Sequence, residues 1–236
     1  MGSGAVVIAS DNSERRLKRS RTNPSVMSRR LSMGIDVLDR QLDGGIPTGS
    51  IVLFSADPAS QSELLLYEVT AVRTALYLTT IRSDQAVQDA LDRTSRYTRV
   101  GEPTIRDIGV EAPLDQGNKL LGTLPTESTL IVDTLDPLEQ QEASRYRYFL
   151  NQLQTQMRNT ESIAILHAMD GRSVPELRDV TEHMADVVFK LNTEVQGTEI
   201  VNRLSVPKFR GGRALEETIK LKLSTGVSID TSRDIA

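Results

Sequence analysis

From Leu31 onward, short runs rich in Val, Ile and Leu alternate with amphipathic segments, and that switching between two periodicities restricts the chain to parallel strands joined by helices. Ile51 to Phe54, Ala75 to Leu78, Thr129 to Val132 and Ser162 to Leu166 read as buried strands. Helices are expected from Ser62 to about Arg73, from Asp84 to Tyr97 and from Pro175 to Met184. Between Glu142 and Asn159, Tyr146, Phe149, Leu150, Leu153 and Met157 recur at helical spacing on one face, so they are expected in the core. After Val187 the pattern becomes closely spaced short strands (Val187 to Leu191, Glu199 to Val206, Thr218 to Leu223, Val227 to Ile229), which predicts antiparallel hairpins finishing the sheet. The expected fold class is therefore α/β, a mostly parallel central sheet flanked by helices, in one domain over residues 31–236.

Residues 1–30 are different in kind. They hold seven basic and two acidic side chains in a Ser- and Asn-rich stretch without apolar periodicity, which predicts a disordered basic arm. The chain's net charge is -4, so the rest carries -9 and is an unfavourable surface for nucleic acid; contact with nucleic acid is expected only through the arm. The absence of cysteine removes disulfides, thiol nucleophiles and Cys-ligated metals. No stretch approaches the roughly 18 apolar residues of a membrane span, and the first residues lack the apolar run of a signal peptide, so a cytoplasmic protein without membrane contact is expected.

An open parallel sheet binds ligands beyond the carboxyl ends of its strands, which directs attention to the loop Ser55-Ala56-Asp57-Pro58-Ala59-Ser60-Gln61-Ser62-Glu63. Upstream stand Met33-Gly34-Ile35-Asp36-Val37-Leu38-Asp39 and Asp43-Gly44-Gly45-Ile46-Pro47-Thr48-Gly49-Ser50. Downstream are Thr129-Leu130-Ile131-Val132-Asp133, Ala185-Asp186-Val187-Val188 and Arg203-Leu204-Ser205-Val206-Pro207-Lys208-Phe209-Arg210-Gly211. In this order and spacing the blocks resemble the RecA-superfamily ATPases of the KaiC and archaeal RadA/Rad55 type, in particular haloarchaeal members. The resemblance implies a RecA-like P-loop NTPase fold. It also implies that Asp133 holds the Walker B position and that Lys208 and Arg210 match fingers reaching across a subunit interface.

The departures from that pattern bear on function. A working Walker A loop, G-x-x-x-x-G-K-[ST], needs glycines to curl backbone amides around phosphate, Lys to reach the terminal phosphates and a hydroxyl to bind magnesium. Aligned on Asp57 and Pro58, those positions hold Ala56, Gln61, Ser62 and Glu63, and Ala59 replaces a further glycine common in the family. Ser60 completes the loop. Ile81 and Arg82 stand where relatives place a water-polarising Glu pair, and neither side chain is a base. These losses predict no catalytic residues, no metal and no cofactor.

The function expected is that of a non-catalytic, pseudo-ATPase regulatory module that binds protein partners, either itself or an active relative. Two alternatives are an ATPase holding ATP and Mg²⁺ weakly, with Arg82, Lys208 or Arg210 replacing the lost Lys, and an accessory DNA-recombination or repair factor using the arm. His167 at a strand end and His183 in a helix are expected to be packing or surface residues, with no Ser-His-Asp set arguable from one strand-end histidine and scattered serines. Asp133, Asp136, Glu139 and Glu142 read as a solvated loop and helix N-terminus.

Overall fold

The computed structural model describes residues 1–2 and 29–230. The greater part of the expected basic arm and the last six residues lie outside them. At the first edge β1 (Arg30–Leu31) pairs antiparallel with β2 (Ile46–Pro47) around the short helix α1 (Asp36–Gln41). Arg30 donates to the carbonyls of Leu42 and Gly45 and lies over the Phe209 ring, 5.3 Å from its centroid. Gly45 has φ +118°, and a Cβ there would sit 2.2 Å from the Leu31 carbonyl oxygen, so the close approach of backbones excludes any side chain.

The main body alternates strand and helix: β3 (Ile51–Ala56), α2 (Glu63–Thr70), β4 (Ala75–Thr79), α3 (Asp84–Thr94), β5 (Thr104–Asp107), α4 (Pro113–Leu121), β6 (Thr129–Asp133), α5 (Asp136–Glu139), α6 (Ala143–Thr160), β7 (Ile163–Met169) and α7 (Arg178–Met184). The chain ends with β8 (Val187–Gln196), β9 (Glu199–Phe209), β10 (Ile219–Leu223) and β11 (Val227–Ile229). These strands form a nine-stranded sheet in the order β11-β10-β9-β8-β3-β7-β6-β4-β5. The six strands from β8 to β5 run parallel, and β9, β10 and β11 extend the sheet antiparallel, as the change of pattern after Val187 predicts.

Alternation along each strand divides the core into two layers. Val52, Phe54, Tyr77, Ile131, Ile163, Ile165, Val187 and Phe189 face α2 and α3. Ile51, Leu53, Leu76, Leu78, Leu130, Val132, Ala164, Leu166 and Val188 face α4, α6 and α7. The expected stripe of α6 is the centre of the second layer, with Tyr146, Phe149, Leu150, Leu153 and Met157 all fully buried.

Sequence reading passed over β5 and α4. Only Ile105 of β5 is buried, because the strand lies at the sheet edge, and so it lacks an apolar run. In α4 the helical signal is interrupted by Gly117, whose missing side chain makes room for the Phe149 ring, 3.2 Å from where its Cβ would stand.

Because Phe149 fills the space between α4 and the sheet without exposure, Phe149→Ala is expected to cost about 3–5 kcal/mol. A urea titration should show the midpoint falling with an unchanged slope.

Candidate functional site

Parallel register sets out one row of side chains at the carboxyl ends of the strands. Thr79 pairs with Asp133, Asp133 with His167, His167 with Phe54, and Phe54 with Phe189. Asp133 follows Ile131 and His167 follows Ile165 in alternation, so both side chains point to the layer that α2 covers.

There they meet the loop between β3 and α2. Ser62 has its Oγ 3.0 Å from His167 Nε2. His167 Nδ1 is 2.7 Å from Asp133 Oδ1, and Tyr77, on the same layer of β4, donates its hydroxyl to Asp133 Oδ2 at 2.6 Å. Ser62, His167 and Asp133 are only 5%, 7% and 6% exposed, so these bonds stand in place of water. The Phe54 ring packs on the imidazole at 5.4 Å between centroids.

The protonation pattern follows from the acceptors. Burial raises the Asp133 carboxyl, but the hydrogen bonds from His167 and Tyr77 and the nearby charge of Arg82 outweigh it and hold the group below the usual carboxylate range. Burial, reinforced by Asp133, pushes the Tyr77 phenol well up, so it stays a donor. An ionised carboxylate only accepts, so His167 carries a proton on Nδ1, and in the neutral imidazole Nε2 is the acceptor that faces the Ser62 hydroxyl. A Ser-His-Asp set is thus present, contrary to the sequence expectation. The separate segments are brought together by strand register, and the signal was the common ending of two aligned apolar runs, Thr129 to Asp133 and Ile163 to His167.

The loop that precedes Ser62 is turned on itself. Asp57 Oδ1 accepts the Ala59 N–H at 2.7 Å, and the Asp57 carbonyl accepts both the N–H and the hydroxyl of Ser60. Leu64 and Leu65 N–H groups go to the carbonyls of Gln61 and Ser62. No residue from Ala56 to Glu63 has a positive φ, in keeping with the side chains at Ala56, Ala59 and Gln61. Pro58 packs on the backbone of Gly171, which closes the loop from the β7 side. Gln61 is exposed, and Glu63 is half-buried.

The other expected site residues are placed as follows. Ile81 is 59% exposed, and Arg82 donates to the Tyr67 hydroxyl and the Ala86 carbonyl. Lys208 Nζ donates to the carbonyls of Glu182 and His183, at 2.6 and 2.9 Å, and Arg210 to those of His183 and Met184. These are the open carbonyls and the negative pole of the α7 C-terminus, which cations satisfy.

The acidic stretch after β6 is corrected by its burial. Asp136 and Glu139 are 6% and 2% exposed and are held by Arg178, which gives Nη2 to Asp136 at 3.0 Å and Nε to both Glu139 oxygens at 3.0 and 2.8 Å. Thr181 donates to Glu139, and the Tyr146 hydroxyl lies 2.6 Å from that of Thr181. Burial still pushes the Glu139 carboxyl up. The solvated helix N-terminus is Glu142, whose carboxylate caps α6 and is pulled down to about 2 by the Ser144 hydroxyl and by the N–H groups of Ser144 and Arg145. Among the described residues no group of three His, Asp or Glu side chains could hold a metal ion, and no helix is long and apolar enough to cross a membrane.

A family model described as a family of unknown function, DUF7125, matches residues 30–236. The chain belongs to that family. No curated protein sequence matches this DUF7125 chain. Among solved structures, it is similar to a KaiC-like protein from the hyperthermophilic archaeon Pyrococcus horikoshii OT3, with a TM-score of 0.69 at 16% identity, over 86% of this chain and 99% of the other. That likeness establishes the RecA/KaiC-like fold of the DUF7125 chain.

Two substitutions test the networks. Asp133→Asn removes the carboxylate that orients His167 and is expected to cost about 1–3 kcal/mol. The folded pKa of Asp133 lies below its unfolded value, so its stabilisation is present above about pH 3.9 and fades as pH falls through the depressed folded value; urea midpoints of the two proteins should converge in that range. Arg178→Met leaves Asp136 and Glu139 buried without their cation, and calorimetry or urea unfolding should show a loss of about 3–5 kcal/mol.

Proposed function

We propose that the protein is a RecA/KaiC-like module that has given up the ATPase cycle and acts by binding protein partners, a second copy or an active relative of the same fold. The observation that carries this reading is the state of Asp133. A Walker B carboxylate serves phosphoryl transfer by holding magnesium, whereas here one oxygen takes the imidazole and the other the Tyr77 phenol. The residue at the lysine position is a hydroxyl that bonds the same imidazole, and the Ala59 and Ser60 amides of the loop are turned inward to Asp57. A bound nucleotide would have to break all of these and would face the carboxylate of Glu63.

The alternative of a relocated phosphate-binding cation is less well supported. Lys208 and Arg210 are engaged with the end of α7, and Arg82 with Tyr67. Partner binding is the use that a preserved scaffold retains when its phosphoryl-transfer machinery is gone, and the archaeal setting implied by the sequence blocks points to regulation or repair assemblies as the place to look.

Thermal unfolding with millimolar Mg-ATP, Mg-ADP or Mg-GTP tests the reading, at both low and molar potassium chloride. A ligand at a hundred times its dissociation constant adds about 2.7 kcal/mol. The expected result is an unchanged midpoint, and a rise of several degrees would overturn the proposal.

A further inference from the structure

Loss of phosphoryl transfer does not leave the carboxyl ends of β6 and β7 chemically inert. We propose that Ser62 is a nucleophile, with His167 as its general base and Asp133 holding the imidazole, and that the site accepts a small uncharged acyl ester. This goes beyond the partner-binding reading and does not rest on it.

Three features carry the inference. The first is the geometry of the relay, 3.0 Å from Ser62 Oγ to His167 Nε2 and 2.7 Å from His167 Nδ1 to Asp133 Oδ1, both within the reach that proton transfer requires. The second is that its orientation is determined from behind. Tyr77 occupies the remaining Asp133 oxygen and Phe54 packs on the imidazole, so the ring cannot turn its basic nitrogen away from Ser62 without losing contacts on both sides. The third is placement: Ser62 ends the turn between β3 and α2, the strand-turn-helix position that presents nucleophilic serines at the end of a parallel sheet. The G-x-S-x-G pattern of that position is not kept, since Ser60 and Leu64 stand two residues to either side. The His167 side chain is 9% exposed and Ser62 5%, so the relay lies just beneath the surface.

These surroundings define the substrate. Side chains at positions 60 and 64 stand where the elbow pattern has glycines, which favours a small acyl group. Glu63 beside the nucleophile disfavours anions, which selects a neutral ester over a phosphate or carboxylate substrate.

In the step proposed, the Ser62 O–H bond breaks as Oγ bonds the ester carbonyl carbon, and the proton passes to His167 Nε2. Collapse of the tetrahedral adduct breaks the carbon–oxygen bond to the leaving alcohol, which takes that proton. Water then attacks the acyl-serine with the same base, releasing the carboxylic acid and restoring Ser62. No redox partner or metal enters the balance.

A small uncharged alkyl fluorophosphonate carrying a biotin reporter, incubated with the full chain, tests the assignment by peptide mass spectrometry. Phosphonylation of Ser62 is expected, with none at that peptide in Ser62→Ala, and with a rate lowered about a hundredfold or more in His167→Gln, where no general base remains. Circular dichroism melts of all three proteins establish that the variants are folded, and Ser62→Cys, alkylated by a neutral haloacetamide, reports whether the position is reachable should His167→Gln unfold. Failure of the folded native chain to label at Ser62, or labelling as fast in folded His167→Gln as in the native chain, overturns the proposal. So does the absence of alkylation of Ser62→Cys on the folded chain under conditions that alkylate the same variant once it is unfolded.

Discussion

Parallel pairing in register places residue 133 beside 167 and residue 167 beside 54, and because side chains alternate along a strand all three point to the face that α2 covers. The site depends on that constraint. Two polar side chains brought side by side under a helix must satisfy each other or be left without water, and the chain meets the requirement with an ion–dipole chain running from Tyr77 through Asp133 and His167 to Ser62. A shift of either strand by one residue would send Asp133 or His167 into the other layer, among Leu130, Val132 and Leu166. The register is in turn secured at the opposite end, where Asp186 accepts the Ile51 N–H and gives its own N–H to the Ile51 carbonyl, tying the start of β8 to β3.

A second polar cluster does the corresponding work on the other layer. Arg178 reaches Asp136, Glu139 and the Met169 carbonyl, while Met169 N–H returns to Asp136, so the end of β7, the turn after β6 and the start of α7 are joined at one guanidinium. Arg suits this role because its planar fork serves several acceptors at once. Lys208 and Arg210 then close the far end of α7. The carboxyl edge of the sheet thus carries hydrogen-bonded ions on both faces.

This arrangement also explains why the altered loop residues form a coherent set. Glycines in a phosphate loop allow amides to point at a bound anion; in this loop, which carries Ala56, Ala59 and Gln61, the backbone keeps negative φ and directs the Ala59 and Ser60 amides to Asp57. Ser62, aligned with the lysine of the resembled motif, places a short hydroxyl within reach of the β7 histidine. Arg82 keeps a positive charge close to Asp133 and helps it remain ionised.

The amino-acid sequence alone determined the architecture. Buried runs of β-branched residues can be satisfied only between layers of helix, and the stripe from Tyr146 to Met157 can be satisfied only against a sheet, so the α/β class, the parallel core and the antiparallel finish were legible. The loop's make-up was legible as well, since Ser62 stands where the resembled motif has a lysine. What the tertiary structure decided was company. Ser62, Asp133 and His167 are separated by 71 and 34 positions in the chain; the shared strand-end positions of Asp133 and His167 hint at their pairing, but nothing local indicates that Ser62 joins them. Asp136 and Glu139 looked like solvent-facing acids because their cation, Arg178, arrives from a distant helix. Periodicity reports which face of an element is apolar, but the pairing of polar groups depends on strand order and register, and those are settled only when all the strands are packed together.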